Sequence, residues 1–290
     1  MAKDTASPIK KIHQAGDFHW VGDGFPVKSV FGYNDLGQEL SPFLLLDYAA
    51  PYRFSPANEV RGVGEHPHRG FETVTIAYQG EIEHRDSSGG GGKIGPGDVQ
   101  WMTAANGLVH EEFHSEEFTR AGGFFEMVQL WVKLPAKFKG TKPGYQTLLD
   151  SNIPRVTLEN DGGELRVIAG EFKGNKGPAK TFTPIELWDL TLKPQKSTQL
   201  PLVVGQTKAI LVLRGEIEVA GEKAKEGELV ILNRECSQIS LASQSGAKLL
   251  VMAGEPIDEP IVGYGPFVMN NDAEIKQAYA DYRMGKFGTF

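Results

Sequence analysis

Two short segments of the chain hold its most chemically suggestive side chains. The first has His66 and His68 on either side of Pro67, and the second has His110 followed two residues later by Glu112. Alternate side chains of an extended strand project from the same face, so each pair is expected to point in one direction. If both pairs face the inside of one barrel, three imidazoles and one carboxylate converge there.

Three imidazoles and one carboxylate make a good donor set for a divalent first-row metal. With coordination positions left open, the set suits Fe(II) and dioxygen chemistry. Structural zinc more often has a closed tetrahedral site with cysteine ligands, and this chain has one cysteine, Cys236. Each segment alone is also explained by surface histidines or by a solvated acidic face over 110–117. Together, in a chain whose seven histidines all lie in its first 114 residues, they favour metal binding.

An internal repeat relates the two halves of the chain. The sequence Gly-Glu-Ile-Glu occurs at 80–83 and at 215–218, with apolar residues on both sides. A second glycine marker follows in each copy, Gly97 in the first and Gly227 in the second. The repeat predicts two related β-barrels.

The second copy lacks every candidate metal ligand. The residues aligned with the four candidates are Pro201, Val203, Ser240 and Ala242. We therefore expect the first barrel to hold the metal and the second barrel to be structural or to shape access to the site.

Short apolar stretches, rich in β-branched and aromatic residues and bounded by turn formers, recur along the chain and predict an all-β fold. The connection Pro135–Gly144 has few apolar anchors, which sets the expected domains at 1–135 and 145–290. A C-terminal helix is expected after a cap at Asn271 or Asp272, ending at Gly285. Its expected apolar face comprises Ile275, Ala278, Tyr279 and Tyr282.

Charge and composition exclude several classes of function. The chain has 30 Lys and Arg residues against 37 Asp and Glu residues, a formal net charge of −7. An acidic balance argues against broad binding to nucleic acid or to an anionic membrane. No signal peptide or membrane-spanning run is recognised, and a single cysteine fits a reducing cytoplasm.

Several motifs together resemble the pirin family of the cupin superfamily. They are HPHRGFETV from 66, PGDVQWMTA from 96, NGLVHEE from 106 and GPFVMNN from 265. The resemblance covers most of the chain, loosely between 140 and 255. It implies a bicupin of two tandem jelly-roll barrels, with a mononuclear metal, generally iron, held by His66, His68, His110 and Glu112. Many pirins have serine where this chain has Glu111, a position expected to face away from the metal.

The resemblance also implies an activity, because several pirins are quercetin 2,3-dioxygenases. The leading hypothesis is an iron-dependent dioxygenase that cleaves flavonols such as quercetin with dioxygen. Glu112 is the expected catalytic base, since a ligating carboxylate can loosen and accept a proton. The alternative is a non-catalytic, iron-dependent redox-sensing regulator that binds a protein partner. A third possibility is another cupin reaction, such as sugar isomerisation, at the same metal shell.

The remaining candidates carry weaker expectations. His84 and His114 are pocket candidates rather than ligands, while His13 and His19 are expected to be ordinary surface or strand residues. Glu72 is excluded as a ligand because pirins do not use that position. The glycine-rich stretch 87–92 is predicted to be a hairpin tip rather than a phosphate-binding loop. The aromatic residues considered for an apolar pocket are Phe71, Trp101, Phe113 and Phe125.

Overall fold

A computed structural model describes residues 7–290. The strands up to residue 148 are β1 (Ile9–Gln14), β2 (Phe18–Val21), β3 (Phe25–Phe31), β4 (Phe43–Phe54), β5 (Gly62–His68), β6 (Phe71–Gln79), β7 (Ile82–Asp86), β8 (Gly91–Ile94), β9 (Val99–Thr103), β10 (Leu108–His114), β11 (Gly123–Lys133) and β12 (Gly144–Leu148). The later strands are β13 (Arg155–Thr157), β14 (Gly163–Ala169), β15 (Glu171–Phe172), β16 (Asn175–Lys176), β17 (Ile185–Leu192), β18 (Lys196–Pro201), β19 (Thr207–Val219), β20 (Glu222–Lys225), β21 (Glu228–Leu232), β22 (Gln238–Ser243), β23 (Ala247–Gly254), β24 (Val262–Tyr264) and β25 (Phe267–Met269).

The helices are short and few. They are α1 (Glu116–Ala121), α2 (Asp272–Arg283) and single 3-10 turns at Ala136–Phe138, Asp150–Asn152 and Glu159–Asp161. The predicted all-β class with a C-terminal helix is confirmed. No helix among the described residues is long and apolar enough to cross a membrane.

The described chain divides into two compact units, and the division is not linear in sequence. The first unit comprises Gly16–Asn152 and Ile257–Phe290, and the second comprises residues 7–15 and Ile153–Pro256. This differs from the expected domains 1–135 and 145–290. Strand pairing gives the reason, because β1 pairs with β21 while β12 extends the sheet of the first unit beside β9.

In the first unit, two antiparallel sheets enclose a common interior. One sheet has the strand order β12-β9-β6-β11-β4-β3-β2 and the other β5-β10-β7-β8. Side chains from β6, β9 and β11 form hydrogen bonds with Glu112 on β10, so the two sheets face each other. The inner faces of these strands therefore position the candidate site.

The second unit is a ten-stranded assembly along β1-β21-β19-β23-β17-β14-β13, to which β18, β20 and β22 add. Its apolar core includes alternate residues of β17, β19 and β23. The glycines aligned by the repeat adopt the same left-handed backbone, with φ of 80° at both Gly80 and Gly215. Only glycine takes this conformation without steric cost, which explains why both copies keep it there.

Helix α2 begins where the sequence predicts. The Asn271 side chain accepts a hydrogen bond from the Glu274 backbone N–H at 2.9 Å, and Gly285 beyond the last turn has a φ of 72°. Ile275 and Ala278 are buried as expected, whereas Tyr282 is 38% exposed. The expected apolar face is therefore correct in its first turns and wrong at Tyr282.

A carboxyl group is buried within the large sheet of the first unit. Glu72 on β6 is 1% exposed, and its Oε1 accepts a hydrogen bond of 2.7 Å from the Thr103 hydroxyl. Burial raises the pKa of Glu72 to about 7 from its ordinary value of 4.5. Glu72 lies three residues from Thr75, which faces the interior, so strand alternation directs it to the opposite face of the sheet.

We predict that Glu72→Gln gains stability over the wild type as the pH rises. In the wild type, the protonated carboxyl contributes fully below pH 4.5, and its contribution is lost as the pH rises through about 7. The variant should therefore gain about 1–3 kcal/mol in unfolding free energy between pH 5 and pH 8 relative to wild type. Urea unfolding at the two pH values measures this, with Glu83→Gln at an exposed position as the control. A difference that does not change with pH would contradict the prediction.

Candidate metal centre

The pairing of β5 with β10 sets the geometry of the histidines. His110 lies directly opposite His66 in the antiparallel register, and their ring centroids are 4.1 Å apart. The ring of His68 lies 4.9 Å from that of His66 and 4.8 Å from that of His110. Each of the three offers a ring nitrogen within 4.8 Å of the others. The structure thus brings together three of the four ligands expected from sequence.

Hydrogen bonds on the outer side of the His66 and His68 rings determine which ring nitrogen of each is available to a metal. The Nδ1 atoms of His66 and His68 lie 2.8 Å from the Gly64 carbonyl and 3.2 Å from the Pro266 carbonyl. A carbonyl only accepts, so both Nδ1 atoms carry the proton and both Nε2 atoms keep a lone pair. The Nε2 of His110 is buried and has no hydrogen-bond partner among the described residues. These nitrogens fit a metal, which would satisfy the orphaned Nε2.

Burial keeps two of the imidazoles, those of His68 and His110, uncharged. Desolvation, and then the neighbouring His66, lower the pKa of His68 to about 3. Desolvation, and then the neighbouring His68 and His66, hold the pKa of His110 well below its ordinary value. Neutral imidazole is the form that binds metals, so the cluster is prepared for a cation at neutral pH.

Glu112, the fourth expected ligand, belongs to an adjoining group. Together with His84 and His110 it forms a second set whose potential ligand atoms lie within 4.8 Å of one another. It also lines one cavity together with His66 and His68. His110 therefore joins the two groups, and Glu112 approaches the cluster from the side of His110.

Three side chains of the opposite sheet hold the Glu112 carboxylate. The Gln129 amide donates to its Oε2 at 3.2 Å, while the Thr75 hydroxyl at 3.4 Å and the Gln100 amide donate to its Oε1. Glu112 is 5% exposed, so these bonds replace most of its hydration. They fix the orientation of the carboxylate beside the cavity.

A hydrogen-bonded chain supports His110 from behind. The Nε2 of His84 lies 3.1 Å from the Asp86 carboxylate, and the Nδ1 of His84 lies 3.3 Å from the Nδ1 of His110. Because the carboxylate accepts, His84 donates through Nε2 and accepts from His110 through Nδ1. This order directs the lone pair of His110 toward the cluster. His84, which stacks on Tyr145 with ring centroids 4.8 Å apart, is thus a positioning residue.

Asp86 also organises the glycine-rich loop at 87–92. Its Oδ1 accepts hydrogen bonds from the backbone N–H groups of Ser88 at 2.8 Å and Gly90 at 3.1 Å. A Cβ at Gly90 would lie 2.4 Å from the Asp86 carboxylate, so this position requires glycine. The loop is the tip of the β7–β8 hairpin, as predicted, and it is tied to the support of His84.

His114 serves the core rather than the cavity. Its Nε2 donates to the Gly24 carbonyl at 2.8 Å, and its ring packs against Phe25, Phe54 and Phe125. Burial lowers its pKa to about 4. The expectation that His114 belongs to the pocket is wrong, because the aromatic cluster occupies the inner face of β10 at that level.

A cavity of about 290 Å³ adjoins the histidines. Its lining residues are Val21, Phe25, Val27, Asp47, Val63, His66, His68, Glu112, Met127, Gln129, Trp131, Gly265 and Pro266. One wall is therefore apolar and aromatic, and the other presents ring nitrogens and carboxyl oxygens. This combination is typical of sites that bind small organic molecules.

The four aromatic residues considered for this pocket, all of them described, do not line the cavity. Phe71 lies behind it and stacks on Trp131 with ring centroids 4.2 Å apart. Phe113 faces away from the interior beside Glu111, which pairs with Arg85. Phe125 belongs to the apolar core. Trp101 is fully buried away from the cavity.

Asp47, Gln129 and Trp131 line the cavity and were not identified from the sequence. They lie on β4 and β11, and Asp47 pairs directly with Gln129. Burial raises the pKa of Asp47, and the Ser29 hydroxyl donates to its carboxylate at 2.6 Å. The sequence did carry a signal for Asp47, because a charged residue inside an otherwise apolar strand must face a polar site or solvent.

The fold and this cluster define a protein of the cupin class, with two barrels and a histidine-rich candidate metal centre in one of them. The pirin family model matches residues 24–132, and the model of the pirin C-terminal cupin domain matches residues 187–288. The chain belongs to the pirin family. The expected bicupin architecture is thereby confirmed.

Individual relatives match over nearly the whole chain. A Pseudomonas aeruginosa protein, provisionally named quercetin 2,3-dioxygenase, is 58% identical over 95% of this chain and 96% of its own. Pirin-1 of Arabidopsis thaliana is 39% identical over 92% of this chain and 90% of its own. The crystal structure of quercetin 2,3-dioxygenase from Acinetobacter baumannii superimposes with a TM-score of 0.95, at 53% identity over 98% of this chain and 99% of that one.

We predict that His110→Ala abolishes stoichiometric binding of a divalent first-row metal. His110 belongs to both groups of potential ligands, so its removal should weaken metal binding at least about 100-fold. Equilibrium dialysis followed by elemental analysis measures the bound metal per chain. His19→Ala, at an exposed strand position, is the control and should retain one equivalent. Full occupancy in the His110 variant would contradict the assignment.

Proposed function

We propose that this protein is an iron-dependent dioxygenase that cleaves flavonols such as quercetin, with dioxygen as the second substrate. In this proposal His66, His68, His110 and Glu112 hold Fe(II), which another divalent first-row metal can replace. The observation that carries the proposal is a cluster of three imidazoles, two of which, His66 and His68, lie in the wall of a half-apolar cavity. The names of the Pseudomonas and Acinetobacter relatives support the substrate class.

A divalent metal at this site would lower the pKa of a hydroxyl bound to it. Glu112 is the proposed base that accepts the hydroxyl proton, because its carboxylate lines the cavity beside the cluster. Gln129 and Gln100 hold that carboxylate in place, so it requires little reorganisation before the transfer. Burial of Glu112 separates the proton from bulk water.

The apolar wall suits a flat aromatic substrate. Phe25, Met127 and Trp131 provide ring and thioether surface opposite the polar groups. The cavity, at about 290 Å³, lies near the lower end of the roughly 300–1,000 Å³ common for ligand sites. A snug fit would exclude water from the reacting part of the substrate.

The proposal also covers the roles of the two barrels and the cellular location of the protein. The first barrel binds the metal and the substrate, and the described residues of the second barrel supply no group of potential metal ligands. The net charge of −7 opposes direct nucleic-acid binding. The single cysteine is consistent with a reducing cytoplasm.

We predict that Glu112→Gln lowers the turnover of quercetin by about 100-fold or more, because the amide cannot accept the proton. Loss of flavonol absorbance and release of carbon monoxide by iron-loaded protein measure turnover, and metal content is determined on the same samples. Glu111→Gln, on the opposite face of β10, is the matched control and should retain activity. An iron-occupied wild-type chain that leaves the flavonol unchanged would overturn the proposal.

We also predict that Val21→Trp raises the KM for quercetin by about 10-fold or more, since the indole would occupy part of the cavity that His66, His68 and Glu112 also line. Val21 is only half-buried at the rim, so the fold should tolerate the larger side chain. Val60→Trp, at an exposed position outside this cavity, provides the control. Steady-state kinetics at equal metal occupancy distinguish the two. An unchanged KM would mean that the substrate binds elsewhere.

A further inference from the structure

The second unit has a cavity of its own. It has a volume of about 180 Å³ and is lined entirely by residues of that unit. Phe172, Trp188, Leu202 and Ala253 form its inner wall, while exposed residues such as Val203 form the rim. It lies at the end of the barrel where β17, β19 and β23 meet.

Strand register places this cavity at the position that the histidine-lined cavity has in the first unit. Trp131 lies between Thr73 and Leu45 of its neighbouring strands, and Ala253 lies likewise between Lys208 and Glu186. Thr73 and Lys208 are 135 residues apart, as are the repeat markers Gly80 and Gly215. Ala253 is therefore the counterpart of Trp131, and by the same register Trp188 is the counterpart of Asp47.

The second barrel has thus kept the cavity and changed its chemistry. A methyl group at Ala253 replaces the large indole of Trp131, which leaves space at this level of the barrel. An indole at Trp188 replaces the carboxylate of Asp47. Among the described residues, no group of three or more potential metal ligands includes a residue that lines this cavity.

Three side chains that line this cavity each carry a buried polar atom with no hydrogen-bond partner among the described residues. The atoms are the Trp188 indole Nε1, the Gln206 amide Oε1 and the Glu186 carboxyl Oε2, and the Gln206 and Glu186 side chains are also hydrogen-bonded to each other. Trp188 is 4% exposed and Gln206 is 7% exposed. Buried polar groups are almost always paired, because an unpaired one costs about 1–3 kcal/mol. Three such atoms around one cavity therefore point to a ligand.

The chemistry of the three atoms restricts what that ligand is. The indole N–H donates and needs an acceptor, whereas the Gln206 oxygen accepts and needs a donor. Two carboxyl groups, of Glu171 and Glu186, and one ammonium group, of Lys173, line the cavity, so an anion would meet net negative charge. A cation would leave the indole N–H unpaired. The rings of Trp188 and Phe172, with centroids 5.2 Å apart, provide an aromatic surface. A cavity of roughly 150 Å³ holds one benzene ring, so 180 Å³ allows one substituted ring.

We propose that the mouth of the second barrel binds a neutral single-ring aromatic molecule that carries both a hydrogen-bond donor and an acceptor, as in a carboxamide or a phenol. The acceptor atom of the ligand pairs with the Trp188 N–H, and its donor pairs with the Gln206 oxygen. The site is independent of the metal centre and of the proposed dioxygenase activity.

The test compares two fluorinated probes by ligand-observed ¹⁹F NMR on the full-length, metal-loaded protein. 4-Fluorobenzamide carries both polar functions, and 4-fluorocumene, whose isopropyl group replaces the carboxamide, has nearly the same size and neither function. We expect the amide to bind at least about 10-fold more tightly than the cumene, since two hydrogen bonds of typical strength distinguish them. Equal binding of the two probes, or no binding of the amide up to about 10 mM, overturns the proposal.

Three variants locate the binding. Trp188→Phe keeps the ring and removes the donor, and Gln206→Met removes the acceptor, so each should weaken amide binding by about 2- to 12-fold. Ala253→Leu fills the cavity and should reduce binding more than about 10-fold. Trp20→Phe, which alters an exposed indole of the first unit, is the control. Thermal unfolding confirms that each variant folds, and unchanged binding in the folded variants overturns the proposal.

Discussion

The candidate site depends on the antiparallel pairing of β5 and β10. That pairing sets His110 opposite His66, and a register shift follows directly before Glu112, which lies opposite Val63. The shift adds one residue to β5 between Val63 and His66, so the regular pairing that aligns the histidines ends in a β-bulge just before Glu112. Without this register the imidazoles would be separate core and surface residues. With it, three ring nitrogens meet within 4.8 Å.

Hydrogen bonds to the outer nitrogens hold the three imidazoles in close contact. Carbonyls of Gly64 and Pro266 hold two of the rings, and the chain through His84 and Asp86 holds the third. The carbonyl of Pro266 comes from the C-terminal segment, 198 residues from His68. This contact is one of several that join residues 257–290 to the first unit. The C-terminal segment completes the support of the site instead of extending the second barrel.

The two barrels show how one strand register supports different chemistry. The pairing of β6, β11 and β4 is repeated by β19, β23 and β17. Backbone pairing depends little on the side chains that face the interior, so those positions can change while the fold persists. In the first barrel they are Asp47, Gln129 and Trp131, whereas in the second they include Trp188 and Ala253. The fold therefore does not determine which barrel carries a metal.

Local rules made much of this site predictable. Alternation along a strand placed His66 with His68 and His110 with Glu112, and the repeat indicated two barrels. Helix α2 was predictable at its start because Asn271 is a strong capping residue. The exposure of Tyr282 was not predictable, because it depends on how far the surface of the first unit extends beneath the last turn of α2. The aromatic wall was also missed, because Phe25 and Trp131 come from strands far apart in sequence.

The sequence by itself determined the ligand types, their shared strand faces, the all-β class and the lack of the candidate ligands in the second copy of the repeat. These follow from residue identity and from the two-residue period of a strand, both of which are local. Only the tertiary structure decided which faces enclose the cavity, that His84 supports His110 while His114 belongs to the core, and that the C-terminal segment joins the first unit. Those outcomes depend on pairing between distant strands, which no local pattern encodes.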